Sequence, residues 1–320
     1  MPEDTELRFR GKSSQEDSAN KVIETQSENG KKKAYEADLR KTFWLTRIVF
    51  LRSLAFIYFV AFLISFDQNK ELIGDNGLTP TKLYLTRIRT RLRGSSNWQL
   101  FLQYPTFFWF LPSLDRLDQA LDLTAISGMF ISAFVFICGA ANSLLMAALW
   151  LLYHSLTNVG QLWFSFGWES QILETGFLAI WIVPFFTISQ LPENTKPSFL
   201  AIYGYRWLIT RIMLGAGLIK IRGDQCWRDF TCMNYFYETQ PNPNPMAFYA
   251  HGAPEPWHKF EVFGNHVVEL IFPFLTFIPK RLPALVNGFW QIGMNFYCTS
   301  LVIPNICAFF SIPDDFDFDG

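Results

Sequence analysis

Hydrophobic positions along this chain fall into long runs separated by short polar breaks, not into the alternation of a half-buried strand. Several runs approach the roughly 20 apolar residues needed to cross a hydrocarbon core about 30 Å thick. Seven stretches qualify as candidate spans: 43–66, 121–139, 143–164, 170–189, 199–221, 262–279 and 283–303. "FLQYPTFFWFLP" (101–112) is too short to cross and is expected to lie in the interface or to re-enter. The pattern predicts an all-α fold, a polytopic transmembrane helical bundle over 43–303. A disordered N-terminal tail (1–42) precedes it and a short acidic tail (304–320) follows.

Composition sharpens this reading. Half of the 320 residues are hydrophobic and 17% are charged, against about 25% charged in an average soluble domain. The length would accommodate two soluble domains, but the clumping of apolar residues favours one bundle. A net charge of −1 removes the electrostatic case for nucleic acid. Residues 1–42, rich in Lys, Glu, Ser, Asp and Asn, cannot bury enough apolar surface to offset the entropy of ordering them. They contain no apolar core ahead of a small-residue cleavage site, so the first span is expected to act as an uncleaved signal-anchor.

Orientation follows from Lys and Arg near the span ends. Lys31, Lys32, Lys33, Arg40 and Lys41 place the N-terminal tail in the cytosol, and alternate threading then puts Lys196, Lys280 and Arg281 on the same side. Residues 67–120 and 222–261 become luminal loops. Arg87, Arg89, Arg91 and Arg93 oppose this assignment, in a loop close to the roughly 60 residues at which the charge bias weakens. Cys138, Cys298 and Cys307 lie in or beside apolar runs and read as small packing residues. Cys226 and Cys232 sit in the second luminal loop, where oxidation is permitted, and are either bonded or free.

The run "WFSFGWESQILETGFL" (163–178) carries Glu169, Gln171 and Glu174 in apolar surroundings. A charge at mid-bilayer costs about 2.5–3.5 kcal/mol unless it is paired, wet or near the surface. On a continuous helix Glu169 and Glu174 point about 140° apart, so they form no dyad. Gly167 also permits a break that leaves Glu169 at a turn near the membrane surface. Basic groups follow on the fifth span, with Arg206 and Arg211 inside it and Lys220 and Arg222 at its end. His266 and Glu269, three apart, share a face of the sixth. The expectation is a structural intramembrane cluster of Glu169, Glu174, Arg206, Arg211, His266 and Glu269, in which Glu174 or Glu169 pairs with Arg206 or Arg211. "GAG" at Gly215–Gly217 offers a small-residue face, either for close helix approach or as plain packing tolerance.

Catalytic motifs are absent. There is no H-E-x-x-H, G-x-S-x-G, Walker A or G-x-G-x-x-G, and four histidines leave few metal ligands. No catalytic, metal or cofactor residue is assigned and no cofactor is expected. The alternative is a membrane-embedded enzyme acting on a lipid or quinone through its intramembrane Glu, Arg and His side chains. A transporter would need a midplane site, often with internal repeats, and no repeat is evident. The segment "YFYETQPNPNP" is extended by Pro241, Pro243 and Pro245. It presents Tyr235, Tyr237, Glu238, Gln240 and Pro241 as a partner-facing loop, or serves merely as a connector.

Four long strings, "TFWLTRIVFLRSLAFIYFVAFLISFDQNKELIGDNGLTP", "WFSFGWESQILETGFL", "RWLITRIMLGAGLIKIRGDQCWRDFTCM" and "YETQPNPNP", resemble the lipase maturation factor family in the same order. The resemblance extends from about Thr42 to about Gln291. It implies a multi-pass endoplasmic reticulum membrane protein, not an enzyme, that assists folding, assembly and export of dimeric secreted lipases. The implied partners are lipoprotein lipase, hepatic lipase, endothelial lipase, folding or quality-control factors of the reticulum, and membrane lipids. It also implies about five spans instead of seven. After Gln291 the sequence departs from the family pattern, which suggests a C-terminally shortened member lacking further luminal sequence. An aromatic-rich luminal face built from 67–120 and 222–261 would shield apolar client surface, or would anchor in the interface.

Overall fold

A computed structural model describes residues 43–190, 197–239, 245–278 and 281–302. The tail 1–42, residues 240–244 and the segment beyond 302 lie outside the described residues. Among those described, the regular structure is helical and no strand occurs. The protein is an all-α helical membrane protein.

Helix α1 (Trp44–Ile73) is the longest, at 30 residues or about 45 Å. Its buried positions, including Leu51, Leu54, Tyr58, Phe62, Ser65 and Asn69, recur every three or four residues and form one stripe. Phe56, Ile57, Leu63 and Phe66 on other faces stay exposed, as suits a helix against lipid. Two short helices follow, α2 (Thr81–Arg91) and α3 (Asn97–Gln103), the latter opened by a reciprocal Ser96–Gln99 capping box. Helix α4 (Leu117–Cys138) returns along α1, the most extensive helix pairing in the molecule. Gly128 makes this possible: a Cβ there would fall 2.5 Å from the Phe62 ring.

Helix α5 (Ser143–Val159) and helix α6 (Gly167–Ile180) form the next antiparallel pair. Helix α6 stops four residues before Pro184, because a proline ring clashes with the carbonyl four residues back. The carbonyls released at that end are taken by the α4–α5 turn. Ser143 Oγ donates to Ile180 O at 2.9 Å, Ser143 N to Pro184 O at 2.9 Å, and Asn142 Nδ2 to Phe186 O at 3.2 Å.

Helix α7 (Phe199–Arg222) is followed by the turns α8 (Gln225–Arg228), α9 (Met233–Phe236) and α10 (Pro245–His251). Helix α11 (Glu255–His266) then runs through a π-helical turn at Val267–Ile271 into α12 (Phe272–Leu275), and α13 (Arg281–Val302) closes the described chain. Pro273 lacks the N–H that would bond Glu269 O and crowds that carbonyl, which accounts for the widened turn ahead of it.

The expected spans differ in helical length and in charge. Among the described residues two helical segments are long and apolar enough to cross a membrane, Trp44–Ile73 and Leu114–Cys138; Ser143–Val159 is apolar but shorter. Helix α6 has 14 residues, about 21 Å. Helix α7 has the length but carries Arg206, Arg211, Lys220 and Arg222. The sixth run is divided between α11, the π turn and α12.

The first expected loop is also different. It is a folded cap continuous with the core: Leu85, Ile88, Leu100, Phe108 and Trp109 belong to the same buried cluster as α1 and α5. Asn158 Nδ2 donates to Pro105 O at 3.1 Å, and Trp163 Nε1 to Thr79 Oγ1 at 2.9 Å. Stretch 101–112 therefore packs on protein through Phe108 and Trp109, with Leu102, Tyr104 and Phe110 left exposed. Exposed ion pairs trim this cap and α11. The Lys82 ammonium is held above its usual range by hydrogen bonding to Asp115 and by that carboxylate's charge. Glu255 is held below its usual range by hydrogen bonding to Lys259 and by its charge.

Candidate functional site

The ionisable residues expected to form one cluster do not meet: Glu169, Glu174 with Arg211, and Glu269 sit in three separate arrangements, and Arg206 and His266 turn to other partners. Glu169, in the first turn of α6, is 3% exposed and accepts a hydrogen bond from the Tyr153 hydroxyl of α5. Tyr153 is itself wedged edge-on against Tyr58 and Phe62. Glu169 is thus satisfied by a phenol, not by Arg206 or Arg211. Its N-terminal position on α6 also favours a negative charge.

Glu174, one turn deeper, forms an ion pair with Arg211 of α7, and both side chains are about half-exposed. Helices α6 and α7 run antiparallel here: Gly204 meets Leu178, Tyr205 Oη donates to Thr175 O at 2.8 Å, and Arg211 pairs with Glu174. Arg206 points elsewhere, its guanidinium carbon 5.0 Å from the Tyr203 ring centre.

The third arrangement lies where α7 meets the π turn. Lys220 Nζ is 2.5 Å from Glu269 Oε1, with both side chains buried. Asn265 binds both, accepting from Lys220 at 3.0 Å and donating to Glu269 at 3.2 Å. Gly217 allows the approach, because a Cβ there would lie 2.6 Å from Leu270 Cδ2. Gly217 thus serves contact within the chain, whereas a Cβ at Gly215 would meet nothing within 4 Å. His266 does not join Glu269; its Nε2 lies 3.0 Å from Trp227 O. The Lys220 ammonium also sits 5.0 Å from the Trp227 ring centre. Lys220 is the partner that sequence reasoning passed over, and Asn265, four residues before Glu269, was the local signal for a polar face there.

Cys226 and Cys232 are joined in a disulfide, Cα to Cα 4.7 Å. The loop they close packs Trp227 and Phe230 against a small core of Met233, Tyr237, Ala247 and Val262, the last on α11. Tyr235 is exposed and Glu238 follows at the surface, but Tyr237 is buried and donates to Glu261 Oε1 at 3.0 Å. A platform carrying both tyrosines outward is therefore not what forms. Gln240 and Pro241 lie outside the described residues. Arg47, near the start of α1, is buried and donates to Gln190 O at 3.0 Å. Gln190 in turn donates to Cys138 O, tying the start of α1 to the end of α4.

Two adjoining cavities open beside these groups. One, of about 500 Å3, lies between α5, α6 and α7 and is walled by Trp150, Leu173, Phe177, Leu178 and Trp207. The other, of about 610 Å3, lies between α6, α7 and the disulfide loop, bordered by Gln171, Ile212, Trp227, Tyr235 and Phe236. Ser170 and Arg211 border both. Among the described residues, no three His, Cys, Asp or Glu side chains gather as a metal site requires.

Long lipid-facing helices, a folded cap and ionisable groups held by partners on neighbouring helices define a helical membrane protein whose interior polarity fastens its elements. The chain belongs to the lipase maturation factor family: residues 45–311 match the family model described as "Lipase maturation factor transmembrane domain". It is 52% identical over 278 residues to lipase maturation factor 1 of Mus musculus, covering 84% of this chain and 48% of that protein. To lipase maturation factor 1 of Homo sapiens it is 55% identical over 251 residues, 78% of this chain and 44% of the relative. Lipase maturation factor 2 of Gallus gallus is less similar, 33% identical over 251 residues, covering 77% and 34% respectively. The chain spans about half the length of the curated relatives named lipase maturation factor 1 that it matches. No solved structure matches it. The family match continues to residue 311, so the likeness does not lapse at Gln291.

Proposed function

We propose that this chain is the membrane-embedded part of an endoplasmic reticulum factor that assists folding, assembly and export of secreted dimeric lipases. The observation that carries the reading is the identity above 50% with relatives named lipase maturation factor 1 across most of the chain. The clients proposed are lipoprotein lipase, hepatic lipase and endothelial lipase, handled together with the compartment's folding and quality-control factors. Its N-terminus faces the cytosol. The capped end of the bundle, with 67–120 and the disulfide loop, then faces the lumen. A non-enzymatic role suits the geometry, because Glu169, Glu174 and Glu269 are engaged by Tyr153, Arg211 and Lys220. A scaffold that holds client surface needs rigid elements at the luminal end, and the disulfide and the buried Lys220–Glu269 pair supply them there. The test is co-expression with lipoprotein lipase in cells lacking the endogenous factor. A several-fold rise in secreted lipase activity over empty vector is expected. No rise, with a longer family member active in the same cells, would assign the activity to sequence outside this chain.

A further inference from the structure

The two cavities form one groove whose character changes along its length. At one end it is apolar, between Phe177 and Leu178 of α6 and Gly204 and Trp207 of α7. Phe177 and Trp207 remain exposed there. At the other end, toward Gly167, Asp224 and the disulfide loop, it acquires polar groups and three aromatic rings, Trp227, Tyr235 and Phe236. Gly167 to Leu178 is 11 residues of helix, about 16 Å of travel along the bundle axis. The Glu174–Arg211 pair marks the junction between these ends. Each cavity falls within the roughly 300–1,000 Å3 typical of ligand clefts.

We propose that this groove holds one phospholipid with a zwitterionic, choline-type headgroup. This goes beyond the lipase-directed role and does not depend on it. An acyl chain matches the apolar end, walled mainly by Leu173, Phe177, Leu178, Leu208 and Trp207, with His154 the polar exception. Arg211 presents donors beyond the one used on Glu174 and is half-exposed to the groove, so it can take a phosphate. A quaternary ammonium matches aromatic faces with a carboxylate at the rim, here Trp227, Tyr235, Phe236 and Asp224. Lys220 covers one approach to Trp227, which leaves Tyr235 and Phe236 as the principal contacts. Arg211 and Lys220 face Glu174 and Asp224, and Lys220 is already neutralised by Glu269, so the groove carries no surplus positive charge. A net-neutral headgroup fits this better than an anionic one. A peptide strand would need free backbone donors or acceptors along the groove, and helical walls offer none.

The full chain, in nanodiscs containing equal amounts of dioleoyl phosphatidylcholine and dioleoyl phosphatidylglycerol, is released into the gas phase and its bound lipids are counted by native mass spectrometry. Phosphatidylcholine is expected to be retained at least threefold over phosphatidylglycerol. Ser170→Trp, which fills the junction from an exposed position in the first turn of α6, is expected to lower retention at least fivefold with an unchanged unfolding temperature. The charge-neutral pair Glu174→Gln with Arg211→Gln is expected to abolish the headgroup preference while retaining some lipid. Equal retention of the two lipids by the unmodified chain, or retention unaffected by Ser170→Trp, would overturn the proposal. If the double variant fails to fold, Ser170→Trp alone decides.

Discussion

Lys220 and Glu269 meet at 2.5 Å across the α7–π turn interface with less than a tenth of either side chain exposed. Removing two charges from water costs several kcal/mol per ion, and their attraction offsets this only with good geometry and further hydrogen bonds. Asn265 supplies those by binding both partners. Removing one charge strands the other, so Lys220→Met or Glu269→Gln is expected to cost about 3–5 kcal/mol. The double change to Lys220→Met with Glu269→Leu should cost much less than the two singles together. Thermal unfolding of the four proteins in one detergent measures this; additive losses would show that the residues act independently.

A different balance governs Glu169. Its acceptor is satisfied by the Tyr153 hydroxyl in a buried setting, so losing the donor is worse than losing the charge. Tyr153→Phe leaves a buried carboxyl without its partner and is expected to cost about 1–3 kcal/mol. Glu169→Gln keeps an oxygen that can accept the same bond and is expected to cost less. Unfolding temperatures that rank Glu169→Gln as the more damaging change would mean that the charge itself holds α6 in place.

These two pairs show what the sequence made legible. Reading opposite signs against each other left four pairings open, Glu174 or Glu169 with Arg206 or Arg211, of which the pair of mid-helix residues Glu174 and Arg211 is the one that forms. It missed Tyr153 as the partner of Glu169, since a phenol carries no charge to draw attention. It missed Lys220 because a lysine at a helix end looks free to reach solvent. Arg47 is likewise turned inward, to Gln190 O, although it lies close to the chain's polar tail. The helical class was plain from apolar runs, but helix ends were not: the α6 run looks 20 residues long until Pro184 ends it at Ile180. The cap over 67–120 was hidden because its core residues, such as Leu85 and Ile88, are separated by charged ones. The family strings were legible because they are long, and family likeness reached further than the motif reading allowed.

Close packing of α1 on α4 rests on a missing side chain. Phe62 fills the space over Gly128 and is fully buried. Gly128→Ala would gain helix propensity yet must displace that ring, and overpacking of this kind costs about 1–3 kcal/mol. Gly128→Ala is therefore expected to lower the unfolding temperature, and adding Phe62→Leu should recover part of the loss. A stabilised Gly128→Ala protein would show that the helices can separate there without penalty.

The Cys226–Cys232 bond links local stability to orientation. It closes a loop with a sequence separation of 6, for which loop-closure entropy gives about 2 kcal/mol. Cys226→Ser with Cys232→Ser should loosen the packing of Met233 and Tyr237 on Val262 while leaving α1 and α4 intact, readable as faster amide exchange confined to the loop and α11. The bond also reports which compartment the capped end of the bundle occupies, because disulfides persist in the lumen and are reduced in the cytosol. In a protein quenched with acid directly from cells, a thiol-reactive polymer is expected to label Cys226 and Cys232 only after reduction. Labelling of both without reduction would place this end in the cytosol and invert the proposed orientation. The shielding of lipase surface would then have no luminal cap to act through.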